Sequence, residues 1–442
     1  MDTKGFDFKD LQDVENNAVE LGVSLPLSEN MNVLRAPITV QDKIIPNRLA
    51  IQPMEGCDGN SGGGPEYLVK RRYERFAKSG AGLIWFEAVA VVPESRANPR
   101  QLMLTEKNLD EYKQLVDNIK SQCNEEYGFT PIIIMQATHS GRYSKPVDKF
   151  EPFIAYNSPI FEKDAALPKE CIVSDDYLKE LEEHYAMSAR LAELAGFDGV
   201  DVKACHRYLI CELLSAYTRP GEYGGSFENR IRFFLNAIKA VKAATSSNMI
   251  ITSRMNIYDG FPHPYGWGVN ESGTIEPDMS EPEQLINILH NEMGVEMLNF
   301  SMGNPYFNPH VTRPFDKGGY ESPEHPIEGV ARMCDNSALL KSKFPNLITV
   351  SSGYSYLRQF SANLAAGMVE SGKTDIAGFG REAFAYPKFA GDILQRGKMD
   401  ETKCCIACGK CSEMMRANTT AGCVIRDTKT YFPIYKRDVL KG

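Results

Sequence analysis

Cys405, Cys408 and Cys411 fall within seven residues, and Cys423 follows after eleven more. Cys404 lies beside the first as a spare. So short a stretch cannot pair three cysteines with one another, and this spacing does not suit a disulfide framework. Thiolates spaced in this way can all turn inward on one inorganic centre. Three closely spaced cysteines plus a remote fourth form the pattern of a cubane iron–sulfur cluster. Zinc is the plainer alternative, although it usually takes two separated Cys-x2-Cys pairs. A cluster passes single electrons, so the rest of the chain is expected to hold something that handles them.

The 442 residues carry a net charge of −9 with ordinary apolar and charged fractions. Such an acidic chain does not read as a nucleic-acid binder. No apolar run approaches the ~20 residues of a membrane span. The N-terminus is acidic and lacks the apolar core of a secretion signal. Cys57, Cys123, Cys171, Cys205, Cys211 and Cys334 are scattered and read as reduced, mostly buried thiols. The natural compartment is then the cytoplasm, and an oxygen-poor setting would suit the cluster.

A long α/β body must position these groups. Residues 1–32 read as an N-terminal extension, 33–395 as a barrel domain, and 396–442 as a cluster-binding segment with a C-terminal tail. Short apolar strands are predicted at 49–54, 82–91, 131–136, 199–203, 248–254, 295–301, 347–352 and 374–381. Helices are predicted between most of them, at 67–79, 109–123, 175–196, 230–244, 281–293 and 356–371. Strands separated by helices pair in parallel through crossovers. Near-continuous apolar character suits burial on both faces. Eight such units predict a (β/α)8 TIM barrel. A doubly wound open sheet is the alternative, but no G-x-G-x-x-G opens a helix after a first strand.

In a TIM barrel, function sits at the C-terminal strand ends. Those ends carry Pro53-Met54-Glu55, Ala88, Gln136, Lys203 with His206 and Tyr208, Arg254, Gly353, and Gly380-Arg381. Loops after the last two strands recurrently bind phosphate. Glycine N–H groups close on phosphate oxygens and Arg supplies a bidentate fork; the alternative is two turn glycines and a surface arginine. The loop after the sixth strand carries Tyr306, His310 and Arg313. It either recognises a carboxylate or oxygenated ring, or is a proline-stiffened lid. Trp267 offers a face for a flat substrate. Arg71 and Arg72 read as a solvated helix face.

These strand ends, in this order, resemble the Old Yellow Enzyme family of FMN-dependent oxidoreductases. The matching residues are Asn47-Arg48, Pro53-Met54, Glu87-Ala88, Gln136, His139, Gly141-Arg142, Gly199-Val200-Asp201, His206, Tyr208-Leu209 and Gly380-Arg381. The most specific stretch runs from Tyr223-Gly224-Gly225-Ser226 through Glu228-Asn229-Arg230 to Phe233. The cysteines narrow the likeness to the branch of 2,4-dienoyl-CoA reductase and trimethylamine dehydrogenase, whose barrels end in a 4Fe–4S segment. The resemblance implies that Gln136 bonds the flavin pyrimidine edge and Arg254 lies near its N1–C2 edge. Ala88 and the Pro53-Met54-Glu55 backbone would face the dimethylbenzene–N5 side, and Gly353, Gly380 and Arg381 the phosphate. Cys405, Cys408, Cys411 and Cys423 would ligate the cluster. Tyr208 would be the proton donor, its pKa lowered by a nearby cation, and His206 half of a pair binding the substrate carbonyl oxygen.

Two features depart from that branch. Lys203 stands where the carbonyl-binding pair usually has His or Tyr; it either stabilises an oxyanion or neutralises Glu55 or the phosphate side. The branch's familiar members also continue into nucleotide-binding domains, which are not read here. Electrons are therefore expected from NADH or NADPH bound over the flavin, or from a ferredoxin, flavodoxin or separate reductase through the cluster. The expected reaction is reduction of an activated C=C bond in a small molecule such as an enone or enoate. The alternatives are an oxidative amine or ether dehydrogenase, an electron-transfer subunit of a larger complex, or a zinc-stapled lyase without flavin. Self-association is compatible with all of them.

Overall fold

The computed structural model describes residues 5–440; the first four residues of the expected extension and the last two of the tail lie outside the described residues. β1 (Ile38–Val40) and β2 (Lys43–Ile45) form an antiparallel hairpin. The barrel strands are β3 (Leu49–Ile51), β4 (Leu83–Ala90), β5 (Ile132–Thr138), β6 (Gly199–Val202), β7 (Ile250–Tyr258), β8 (Met297–Met302), β9 (Ile348–Ser351) and β10 (Ile376–Phe379). They close in chain order, with β10 pairing in parallel to β3. This is the (β/α)8 barrel expected from the alternation of strands and helices.

All residues of these eight strands are buried, as parallel strands between an inner core and an outer ring of helices must be. Leu83, Ile132, Ile250, Met297 and Ile376, at or near the strand starts, form one apolar layer with Val40 and Ile45 of the hairpin. The hairpin thus covers the N-terminal end of the barrel and leaves the other end for polar groups. Its three-residue strands are too short to show alternation in the sequence. The helix Pro326–Lys343 between β8 and β9 also escaped the sequence reading. Its Pro326 sits at the first helical position, where a missing N–H is harmless, and the His325 ring accepts from the Ile327 N–H.

Two boundaries differ from expectation in ways that matter. β3 stops at Ile51, so Gln52 to Glu55 form a loop. β7 continues to Tyr258, so Arg254 rises from mid-strand. Two readings are corrected outright. Arg72 is buried and bonds Asp58 (2.6 and 2.9 Å) and Glu87 (2.5 Å), because helix Tyr67–Ala77 turns that face onto the barrel. Trp267 is wholly buried and donates to the Asn256 carbonyl at 3.0 Å, so no substrate reaches it.

After the barrel come helices Lys410–Arg416 and Thr428–Asp438. Met414, Ala421, Val424, Tyr431 and Tyr435 give this segment a small core of its own. It docks through Asp427, which accepts from Arg71 (2.7 Å) and from Arg75. The Ala421 N–H also donates to the Gly56 carbonyl at 2.7 Å.

Candidate active site and cysteine cavity

At the C-terminal strand ends a cavity of about 140 Å³ opens. Pro53, Met54, Glu55, Ala88, Gln136 and Arg254 line it, as do Gly353, Gly380 and Arg381. Lys203, His206, Tyr208, Tyr306 and Arg313 join them from the loops. One expected residue does not. The His310 ring turns to the Tyr320 hydroxyl, away from the cavity, so the reading of His310 as a substrate residue is corrected. Gln52, Thr312, Ser355 and Met415 line the cavity without having been anticipated.

Asp201 on β6 organises the floor. Its carboxylate accepts from Gln136 Nε2 (2.6 Å), Trp85 Nε1 (2.7 Å) and the Arg254 N–H (2.7 Å). The Gln136 amide nitrogen is thus committed to Asp201, and its side-chain carbonyl is the end left to accept from a ligand. The Arg254 Nε is buried and has no protein partner, and burial lowers the affinity of that guanidinium for its proton. An anionic or strongly accepting ligand edge would relieve both costs. Arg313 is similar. Burial, and then Arg381 beside it, push it down to about 10. The half-buried Arg313 and the buried Arg381, two like charges lining one cavity, call for an anion beside them. Gly353 lines the same cavity with φ of +105°, and a Cβ there would meet Met333 Sδ at 2.5 Å, so only glycine fits that backbone. These features fit a flavin with its phosphate.

The reactive side chains come from one unusual turn. His206 and Arg207 both adopt φ of +64°, a conformation that costs a non-glycine residue about 1–3 kcal/mol. Arg207, wholly buried, holds it: its guanidinium donates to Asp259 (3.2 Å), Tyr156 (2.6 Å) and the Tyr265 carbonyl (2.9 Å). The turn aims His206 and Tyr208 at the same space. His206 Nε2 lies 3.1 Å from Ser301 Oγ. Burial, then Arg254, Lys203 and Arg313, hold this imidazole well below its usual pKa, so it stays neutral.

Lys203 Nζ lies 3.8 Å from Glu55 Oε1 and 3.6 Å from the Tyr208 ring centroid. It faces the cavity and lies beside the Glu55 carboxyl at once, so the two readings of Lys203 are not exclusive. The Tyr208 hydroxyl donates to Glu55 at 3.3 Å and lies 2.9 Å from the Tyr306 hydroxyl. Burial, then Glu55, push Tyr208 well above the usual phenol value. This reverses the lowering expected from a nearby cation, because desolvation and the carboxyl outweigh Lys203.

Cys405, Cys408, Cys411 and Cys423 line a second, small cavity of about 20 Å³. Among the described residues, no three His, Cys, Asp or Glu side chains are grouped to hold a single metal ion. A cubane brings its own irons and sulfides, so its ligands surround a body rather than a point. Backbone N–H groups of Ala407 and Arg426 point at the Cys405 and Cys423 sulfurs at 3.4 and 3.3 Å. Arg381 lines both cavities, and Arg313 donates to Ser412, next to Cys411. Cys404 is buried and donates to the Asp400 carbonyl at 3.3 Å.

The sequence model described as NADH:flavin oxidoreductase / NADH oxidase family matches residues 33–272. The chain belongs to that family, and so to the flavin oxidoreductases. It is 32% identical over 216 residues to an NADPH dehydrogenase of Bacillus subtilis (strain 168), covering 47% of this chain and 60% of that one. It is 26% identical over 412 residues to an NADH oxidase of Thermoanaerobacter brockii, covering 90% of this chain and 57% of that one. The match therefore spans about three fifths of these relatives' own length. Among solved structures, 2-naphthoyl-CoA reductase in complex with 2-naphthoyl-CoA shares the fold. Its TM-score is 0.72 at 18% identity, over 89% of this chain and 57% of that one.

Proposed function

We propose that this chain is an FMN- and 4Fe–4S-dependent ene-reductase. Its substrate would be a small molecule with an activated C=C bond, and its electrons would come from NAD(P)H or a redox protein. When bound, FMN would supply hydride and one-electron chemistry. Gln136 and Arg254 would hold its ring edge, Ala88 and the Pro53-Met54-Glu55 stretch would line its side, and Gly353, Gly380, Arg381 and Arg313 would hold its phosphate. Cys405, Cys408, Cys411 and Cys423 would ligate the cluster.

The observation that carries this reading is the convergence of Lys203, His206 and Tyr208 on one cavity at the strand ends. Lys203 and the neutral imidazole of His206 would bind the substrate carbonyl oxygen, where negative charge grows during reduction. Tyr208 keeps its proton at every ordinary pH and would give it to the α-carbon. Tyr306, stacked parallel to Tyr208 with centroids 6.4 Å apart, would flank a flat substrate. The test is Tyr208→Phe in anaerobically prepared holoenzyme. Reduction of enones and enoates should fall by about 10²–10⁴-fold, the contribution of one general acid, with flavin content unchanged. Wild-type turnover by that variant would sink the assignment.

A further inference from the structure

We infer that Glu55 is a second acid in this site, which returns to Tyr208 the proton that Tyr208 gives up. The inference rests on the ene-reductase reading and extends it. A phenol that has protonated carbon becomes a buried phenolate, and it must be recharged before the next turnover. Two groups touch the Tyr208 hydroxyl: Tyr306 at 2.9 Å, a phenol that burial makes a poor acid, and Glu55, whose Oε1 lies 3.3 Å away and which is the stronger acid of the two. Glu55 is fixed there. The next residue, Gly56, donates its N–H to Glu87 at 3.0 Å. Arg72 packs so closely under Gly56 that a Cβ would lie 2.0 Å from its Nη1.

The charged and titratable groups facing Glu55 are Lys203, Tyr208, Tyr306 and Cys57. Burial favours the neutral carboxyl, with Lys203 and then Tyr208 opposing it. The relay is balanced in two steps. The Tyr208 O–H bond breaks as the substrate α-C–H bond forms. The Glu55 O–H bond then breaks as the Tyr208 O–H bond re-forms. No electrons move in the second step. It leaves a carboxylate 3.8 Å from the Lys203 ammonium, so the ion pair completed there favours the transfer. Water entering after product release restores the Glu55 proton.

Glu55→Gln keeps the size and a hydrogen bond but has no proton to transfer. In holoenzyme its steady-state rate, divided by its single-turnover rate, should fall at least about tenfold below the wild-type ratio. Added acetate buffer should restore that ratio in proportion to its acid form. A merely structural role would lower both rates together and give no rescue, and that result would overturn the relay. Infrared spectra of the wild type at neutral pH should show a carboxylic-acid carbonyl band that Glu55→Gln lacks; no such band means no stored proton, and the relay falls. If the wild type reduces no activated alkene at all, the ene-reductase reading fails, whatever the infrared result.

Discussion

Around the mouth of the barrel, Gln136 and Arg254 rise from strands hydrogen-bonded on both sides. Around Cys405 to Cys423 there is no ladder. Two short helices enclose a five-residue core, and the segment is moored by a few side chains (Asp427 to Arg71 and Arg75, Ser412 to Arg313, Thr420 to Arg100) and by one backbone bond from Ala421. The first region is shaped before any ligand arrives, and a cofactor there meets donors and acceptors already aimed. The second has half-buried thiols, Cys405 and Cys423, that desolvation pushes up and that ionise readily only on a metal. Its shape is therefore expected to depend on what it binds.

The sharpest way to break this contrast is Cys411→Ser. Iron content and cluster absorption should be lost almost entirely. Residues 404–438 should become sensitive to protease, while barrel unfolding and flavin content stay close to wild type. If the barrel melts with the segment, the two regions are one cooperative unit, and the contrast fails.

The barrel was legible because its strands are apolar runs split by helical periodicity, and that pattern needs no long-range information. The strand ends followed from it, which is why Lys203, His206, Tyr208 and Arg254 were found by position. The rest depends on folding at a distance. Asp201 reads as a strand residue, and nothing local says that it orients Gln136 from the neighbouring strand. Arg207 looks like one more charge between His206 and Tyr208, yet it anchors the left-handed turn. Met415 reaches the cavity only because the tail folds back over the mouth. His310 failed for the same reason: an aromatic partner ten residues away turned its ring aside.

His139 tests the rigid side of the contrast at smaller amplitude. Its Nδ1 accepts from the Gly141 N–H at 3.0 Å and its Nε2 lies 2.8 Å from the Tyr177 hydroxyl. Burial pushes it down to about 3, against an ordinary value near 6.5. Between those values the unfolded chain binds a proton that the folded chain refuses. Stability from this group is thus complete above pH 6.5 and is lost as pH falls. From pH 7 to 5 that loss is about 2 kcal/mol. His139→Asn keeps an acceptor for Gly141 and cannot titrate. Denaturant midpoints at the two pH values should show the variant losing about 2 kcal/mol less than wild type. Equal losses would mean that His139 opens to water in the native state.

The smallest effect is expected at the mooring. Burial alone would raise the Asp427 carboxyl, but Arg71 and Arg75 overrule it and hold it below the usual range. The arginine side chains are 25% and 30% exposed, so solvent weakens both pairs, and about 1 kcal/mol is a reasonable sum. Asp427→Asn keeps one acceptor and removes the charge. Because the segment has its own core, the loss should appear locally. Amide exchange in helix Thr428–Asp438 should quicken about fivefold, the equivalent of that energy, while exchange in β5 and β7 stays unchanged. Uniform acceleration across barrel and tail would show that Asp427 supports the whole molecule, and the line drawn between the two regions would have to move into the barrel itself.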